Sequence, residues 1–201
     1  ARRWDGEDFD HLSDYPDWDY DPVFYASVDY QSRSNLNVTN PTAAQALVAR
    51  YGEKEFADME AATDALLRAG YVDRTRLVAT GGSYGGFMVA YMNGHTGRYA
   101  SYVCHAGCYD WVSMMATDGY EWFGRELGAW HWEDEKRVLR QSPHHHVGRA
   151  NTPTLVVHGE QDYRVPATQA LQYYDTLKAR GVESRLVWFP DENHWILKPQ
   201  N

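Results

Sequence analysis

Apolar positions in this chain change period along its length. Leu77 to Ala79, Tyr102 to Ala106, Thr154 to His158 and Ser184 to Phe189 are short, nearly unbroken apolar or β-branched runs. Runs this short, bounded by glycine and polar residues, predict strands buried in a parallel sheet. Between them the period lengthens. Phe56, Met59, Thr63, Leu66 and Leu67 share one face of a helix that starts near Ala43 or Glu53 and ends at Ala69, where Gly70 stops it. Phe87, Met88, Tyr91 and Met92 recur at helical spacing up to Asn93-Gly94. Leu171, Tyr174 and Leu177 do so between Thr168 and Arg180, with Gly181 behind them. Strands alternating with helices predict an α/β fold with a mostly parallel, doubly wound sheet.

Other segments break the pattern. Residues 1–22 mix Trp4, Phe9, Tyr15, Trp18 and Tyr20 with seven aspartates and one glutamate, at no regular period. That predicts an irregular acidic and aromatic arm. Val23 to Tyr30 is β-branched and aromatic and predicts a further strand, followed by a polar loop from Gln31 to Pro41. Residues 23–201 then make one domain. Within it, Tyr109 to Val147 is rich in aromatic residues but irregular.

Composition narrows the function. A chain of 201 residues with 43% hydrophobic content supplies one core. A net charge of −9 without a basic stripe argues against nucleic acid as a partner. No run approaches the ~18 apolar residues of a membrane span, and Ala1-Arg2-Arg3-Trp4-Asp5 leads into no signal-peptide core. The expectation is a soluble protein, cytoplasmic, or periplasmic or secreted in a longer parent. Cys104 and Cys108 would share a strand face too far apart to bridge, so they read as buried free thiols. Asn37-Val38-Thr39 matches a glycosylation sequon by its three letters alone.

Chemistry enters at Gly81-Gly82-Ser83-Tyr84-Gly85, which follows one apolar run and opens a helix. It fits G-x-S-x-G, the sharp strand-to-helix turn that lifts a serine hydroxyl above a sheet. The serine in such a turn is strained at positive φ, and side chains two residues to either side would collide. Sites in α/β sheets form at the carboxyl ends of strands. Asp162 follows the Thr154–His158 run, and His194 follows the Ser184–Phe189 run. A serine hydroxyl needs an imidazole to take its proton, and a carboxylate to hold that imidazole's tautomer and stabilise its cation. The order Ser83, Asp162, His194 is that of α/β-hydrolases, unlike the chymotrypsin or subtilisin arrangements.

Two aspartates compete with Asp162. Asp110 would lie beside the serine strand and suits substrate contacts better, while Asp191 precedes His194 closely enough to shape its turn. His144-His145-His146 invites a metal reading, but histidines in extended chain point alternately and no acidic partner is near in sequence. No metal and no cofactor are expected.

Together Gly81-Gly82-Ser83-Tyr84-Gly85-Gly86, His158-Gly159-Glu160-Gln161-Asp162-Tyr163-Arg164-Val165-Pro166 and Glu192-Asn193-His194 resemble the catalytic domain of the prolyl oligopeptidase family of serine peptidases. The dipeptidyl-peptidase and acylaminoacyl-peptidase branches are nearest. The likeness runs from about Tyr51 to Asn201, with a weaker match at Tyr25 to Ser34. It implies an α/β-hydrolase fold that cleaves short peptides through an acyl-enzyme. It also implies that the Tyr84 backbone N–H is one oxyanion donor. By the same resemblance Arg164 holds a substrate backbone carbonyl. Val165, Tyr109 and Trp111 would wall the pocket for the residue before the scissile bond, with core packing the alternative for Tyr109 and Trp111.

The family's early segment that supplies a second oxyanion donor, His-Gly-Gly-Pro-like or tyrosine-containing, has no counterpart before Ser83. Its first strands, its β-propeller and its final helix have none either. The expectation is a partial catalytic domain without the N-terminal strands, whose open sheet edge invites self-association into a homo-oligomer. Three functions remain: a serine peptidase, an esterase on the same fold, and a catalytically inactive fragment of a longer peptidase. Arg164 favours the peptidase, because a guanidinium aimed at a peptide carbonyl has less use on a simple ester.

Overall fold

The computed structural model describes residues 49–115, 117 and 120–201. The arm at 1–22, the strand at 23–30, the loop to Pro41 and the Asn37 sequon lie outside them. Helix α1 (Glu53–Arg68) leads through β1 (Val78–Gly82) to α2 (Tyr84–Asn93) and β2 (Ser101–His105). Four short helices follow: α3 (Trp111–Met114), α4 (Tyr120–Glu126), α5 (Glu135–Gln141) and α6 (Pro143–His146). Then come β3 (Thr154–Gly159), α7 (Thr168–Ala179) and β4 (Ser184–Phe189). The strands pair in the order β1-β2-β3-β4, all parallel. Each of the four apolar runs forms a strand, and β1 runs on through Thr80 and two glycines to the serine turn.

One face of the sheet is buried. Ala79, Gly81, Tyr102, Cys104 and Val156 point into it, while Val78, Thr80, Val103, Leu155 and Val157 on the other face keep partial or full exposure. Helices α2 and α7 cover the buried face, and a single side chain ties them to it. Asn93 of α2 donates through Nδ2 to Thr154 Oγ1 (3.1 Å) and to Tyr173 Oη of α7 (3.0 Å). Its Oδ1 accepts the Thr152 N–H at 3.2 Å. Helix α2 packs against β1, β2, α1 and α6 and is buried on every side from Gly86 to Asn93, beyond the stripe its period predicts. Gly94 ends it at a φ of −82°, so no left-handed cap is formed there. A side chain at Gly94 would instead meet His146, its Cβ lying 2.8 Å from that of His146.

Three expectations change. Tyr109 to Val147 is largely helical, where the sequence predicts irregular chain. Its cues are caps: Asp110 accepts the N–H of Val112 (2.9 Å) and Ser113 (3.3 Å), Asp134 accepts that of Arg137 (3.1 Å), and Pro143 opens α6. Helices of one or two turns repeat too few positions to display a period. The His144–His146 run is therefore helical and not extended, and His144 Nδ1 meets an acid distant in sequence, Asp110 Oδ1, at 3.3 Å.

The third change concerns α7, which buries Gln169, Ala170, Tyr173 and Leu177 and leaves Leu171 exposed. Gln169 can be buried because its amide is bonded: Oε1 accepts the N–H of Tyr109 and Asp110 (2.8 Å each), and Nε2 donates to Ser113 Oγ (2.8 Å). Cys104 and Cys108 are buried free thiols, and burial pushes Cys104 up to about 12. Among the described residues no group of His, Cys, Asp and Glu is placed to hold a metal ion, and no helix is long and apolar enough to cross a membrane.

Asn93→Ala leaves the buried Thr152 N–H without its acceptor and takes the Asn93 amide donor from Tyr173 Oη and Thr154 Oγ1. Urea unfolding is expected to show a loss of about 2–4 kcal/mol. A loss below about 1 kcal/mol would mean that Asn93 does not tie α2 to α7.

Candidate active site

Ser83 links β1 to α2 at φ 57° and ψ −115°, in the left-handed region that few non-glycine residues enter. Backbone crowding around it explains its glycines. A Cβ on Gly81 would stand 2.3 Å from the carbonyl carbon and oxygen of Gly85, and one on Gly86 would stand 2.6 Å from Gly107 Cα and His105 O. The turn is held from both sides. The Ser83 N–H donates to His105 O of β2 (2.9 Å), and Ser83 O accepts the Phe87 N–H (3.0 Å). The Tyr84 N–H, first in α2, has no partner within the helix and lies at its positive end.

Asp162 and His194 come into contact. His194 donates through Nδ1–H to Asp162 Oδ2 at 2.7 Å, which leaves Nε2 as the basic nitrogen. Asp162 Oδ1 accepts the N–H groups of Arg164 (3.0 Å) and Val165 (2.8 Å), so the carboxylate is clamped by its own loop. Burial pushes the Asp162 pKa up, but the bonds from His194 and the Val165 N–H outweigh it and hold the carboxyl below its ordinary range. Beneath the pair, buried His158 donates through Nε2 to Val165 O (2.9 Å) and stands 3.4 Å from the same Asp162 Oδ2. His158 thus supports the Asp162 loop, a role its place in the sequence motif does not reveal.

The loop that carries His194 is clasped by Glu192, a residue sequence reasoning left without a task. Its buried carboxylate accepts the N–H of Leu197 and Lys198 (2.9 Å each) and the Asn201 side-chain amide (2.7 Å). The clasp spans Ile196, whose φ of 48° is an outlier for a β-branched residue. Gly159 lets the same loop lie against β3, since a Cβ there would come 2.5 Å from the carbonyl oxygens of Glu192 and Asn193. In the sequence, a glutamate ahead of Asn-His reads as a solvated loop acid.

The rival acids have other partners. Asp110 caps α3, and Asp191 pairs with Lys198 Nζ at 2.5 Å. Trp111 packs in the core with its ring 5.1 Å from Phe87 and 5.6 Å from Phe123, and donates through Nε1 to Gln141 O (3.1 Å). Tyr109 lies 5.0 Å from Tyr173, and Val165 is buried beside Asp162. Arg164 is exposed at the edge of the same loop. Ser83, Asp162 and His194 follow the carboxyl ends of β1, β3 and β4, three strands of one parallel sheet, but among the described residues no hydrogen bond runs from Ser83 Oγ to His194. The arrangement offers a half-buried hydroxyl, an imidazole with an oriented carboxylate, and an N–H unpaired within its helix, the parts that acyl transfer needs.

Comparison with known proteins places the chain in a family. Residues 43–201 match the model of the prolyl oligopeptidase family. Over 157 residues the chain is 40% identical to a protein of Porphyromonas gingivalis named dipeptidyl-peptidase 5, covering 75% of this chain and 23% of that one. The fission yeast Schizosaccharomyces pombe protein of the same name is 33% identical over 155 residues, again with 75% and 23% covered. The chain thus spans about a quarter of the length of these relatives. Among solved structures, an acylaminoacyl peptidase of Pyrococcus horikoshii superposes with a TM-score of 0.71 at 26% identity, over 76% of this chain and 26% of that one. The fold is that of the α/β-hydrolase peptidases.

Burial lowers the pKa of His95, His105, His144, His146 and His158. As pH falls, the unfolded chain binds these protons first, so this stability is present above the ordinary histidine range and is lost on acidification through it. Glu55, raised by burial, works in the opposite direction as a single group. The thermal midpoint is expected to drop between about pH 7.5 and about pH 5.5. A midpoint that holds level over that interval contradicts this account of the buried imidazoles.

Proposed function

The chain belongs to the prolyl oligopeptidase family of serine peptidases, and on that footing we propose that it hydrolyses short peptides through an acyl-enzyme on Ser83. The observation that carries this reading is the buried 2.7 Å bond from His194 Nδ1 to Asp162 Oδ2, which leaves Nε2 free to act as a base. His194 takes the Ser83 hydroxyl proton as Oγ attacks the substrate carbonyl carbon, and Asp162 stabilises the imidazolium. The oxyanion that forms accepts the Tyr84 N–H. Collapse breaks the C–N bond, and the His194 proton leaves with the amine. A water then gives its proton to His194 and attacks the ester, which frees the new carboxyl terminus and restores Ser83.

Arg164, exposed on the Asp162 loop, would reach a substrate carbonyl, and Val165 would back the pocket before the scissile bond, with Tyr109 and Trp111 packed in the core behind it. An acylaminoacyl peptidase 27% identical to this chain is known in complex with a peptide chloromethyl ketone ending in phenylalanine. A peptide with an apolar residue before the cleaved bond is therefore the substrate class we assign. No cofactor takes part in these steps.

A fluorophosphonate probe is expected to label the wild-type chain and to leave Ser83→Ala unlabelled. Asp162→Asn keeps the shape of the pair but sets the wrong His194 tautomer, and turnover should fall by about 10⁴. Equal labelling of Ser83→Ala would remove Ser83 from the nucleophile's role. An unchanged rate in Asp162→Asn would move the acid elsewhere, with Asp110 next in line.

A further inference from the structure

Glu55 occupies the first turn of α1 and is only 1% exposed. Its Oε1 accepts the hydroxyl of Tyr84, the residue directly after Ser83. Its Oε2 is buried without a hydrogen-bond partner. Burying a carboxyl with one oxygen unpartnered carries a cost. Burial pushes its pKa up, and the Tyr84 hydroxyl and the N–H groups of Glu55 and Gly52 offset this only in part. Glu55 stands three residues after the N-cap Gly52, from where it also answers the Gly52 N–H as a capping glutamate does.

What the buried position adds is reach to Tyr84. The Tyr84 ring is met edge-on by Tyr51 at 5.4 Å and 89°, and lies 5.0 Å from Phe87. Tyr51 is itself held, its hydroxyl on Glu126 Oε2 (3.0 Å) and its N–H on Gln141 Oε1 (3.0 Å). The ring is packed on its sides and bonded at its tip. At the other end of that side chain is the main chain of the serine turn, next to Ser83 with its strained φ of 57°.

We propose that Glu55 is a positioning residue for acyl transfer: by accepting the Tyr84 hydroxyl it fixes the main chain at Tyr84, and with it the N–H that meets the oxyanion. The inference rests on the peptidase reading above and goes beyond it, since Glu55 touches neither substrate nor the reacting atoms. The link acts in the transition state, where the oxyanion exists, and so affects rate more than substrate binding.

The test uses the full chain and a fluorophosphonate, which builds a comparable anionic oxygen at Ser83. Both the labelling rate constant and the final labelled fraction are read. Tyr84→Phe and Glu55→Leu should each slow labelling about tenfold with the final fraction unchanged, short of the roughly 10²–10³ lost when a donor is removed outright. Glu55→Gln keeps the acceptor and should label within about twofold of wild type. The double variant Tyr84→Phe/Glu55→Leu should be no slower than the slower single variant, because both cut one link. Wild-type rates in the single variants would overturn the proposal, as would a smaller labelled fraction reacting at the wild-type rate, which marks a merely structural role. A wild-type chain left unlabelled would instead overturn the peptidase reading, and this inference with it.

Discussion

Everything at the site depends on how closely three backbone segments approach one another around Ser83. Gly81 faces Gly85 across the turn, and Gly86 faces Gly107 at the end of β2, at separations where no Cβ fits. That closeness brings α2 down onto the strands, which buries Phe87, Met88 and Met92. It also sets the N-terminus of α2, with its unpaired N–H groups, beside the serine. A larger residue at Gly81 or Gly86 would part the helix from the sheet and lose both consequences at once.

Strain at the carboxyl edge of the sheet is matched by polar bonds close by. Ser83, Ala106 and Ile196 all have positive φ without being glycine. Ser83 is pinned to His105 O, the Ala106 N–H to Val157 O, and Ile196 lies under the Glu192 clasp. The buried polar side chains nearby follow the same logic. Asp162, His158, Gln169 and Asn93 each hold a loop or join two elements. Glu55 is marked for a role beyond packing by its place: sealed from water in the first turn of α1, it accepts the hydroxyl of the residue directly after Ser83.

Much of this was legible in the chain. The four strands could be read because buried parallel strands are apolar runs of a length that no helix shares. The serine turn could be read because its glycines record backbone contacts. Asp162 and His194 could be placed because each follows a strand. The short helices between Trp111 and His146 could not, since Asp110 and Asp134 resemble ordinary loop aspartates until their N–H partners are known. The buried face of α7 was misread because Gln169 counts as polar in any periodicity, although both ends of its amide are bonded. Glu192 and Glu55 carry no sequence cue, because burial of an acid depends on groups distant along the chain.

By itself, then, the sequence determined the order of strands and helices, the position of the serine turn, and the strand ends that Asp162 and His194 follow. These follow from local causes: side-chain period, strand length and the bulk that a tight turn excludes. Only the tertiary structure decided which face of each helix is buried, which acids are sealed from water, and which of them reach the residue after Ser83. Those outcomes rest on contacts between residues far apart in sequence, such as Glu55 with Tyr84, 29 positions on, and Asp162 with His194, 32 positions on. A carboxylate takes its meaning from the donors around it, and the fold alone assembles them.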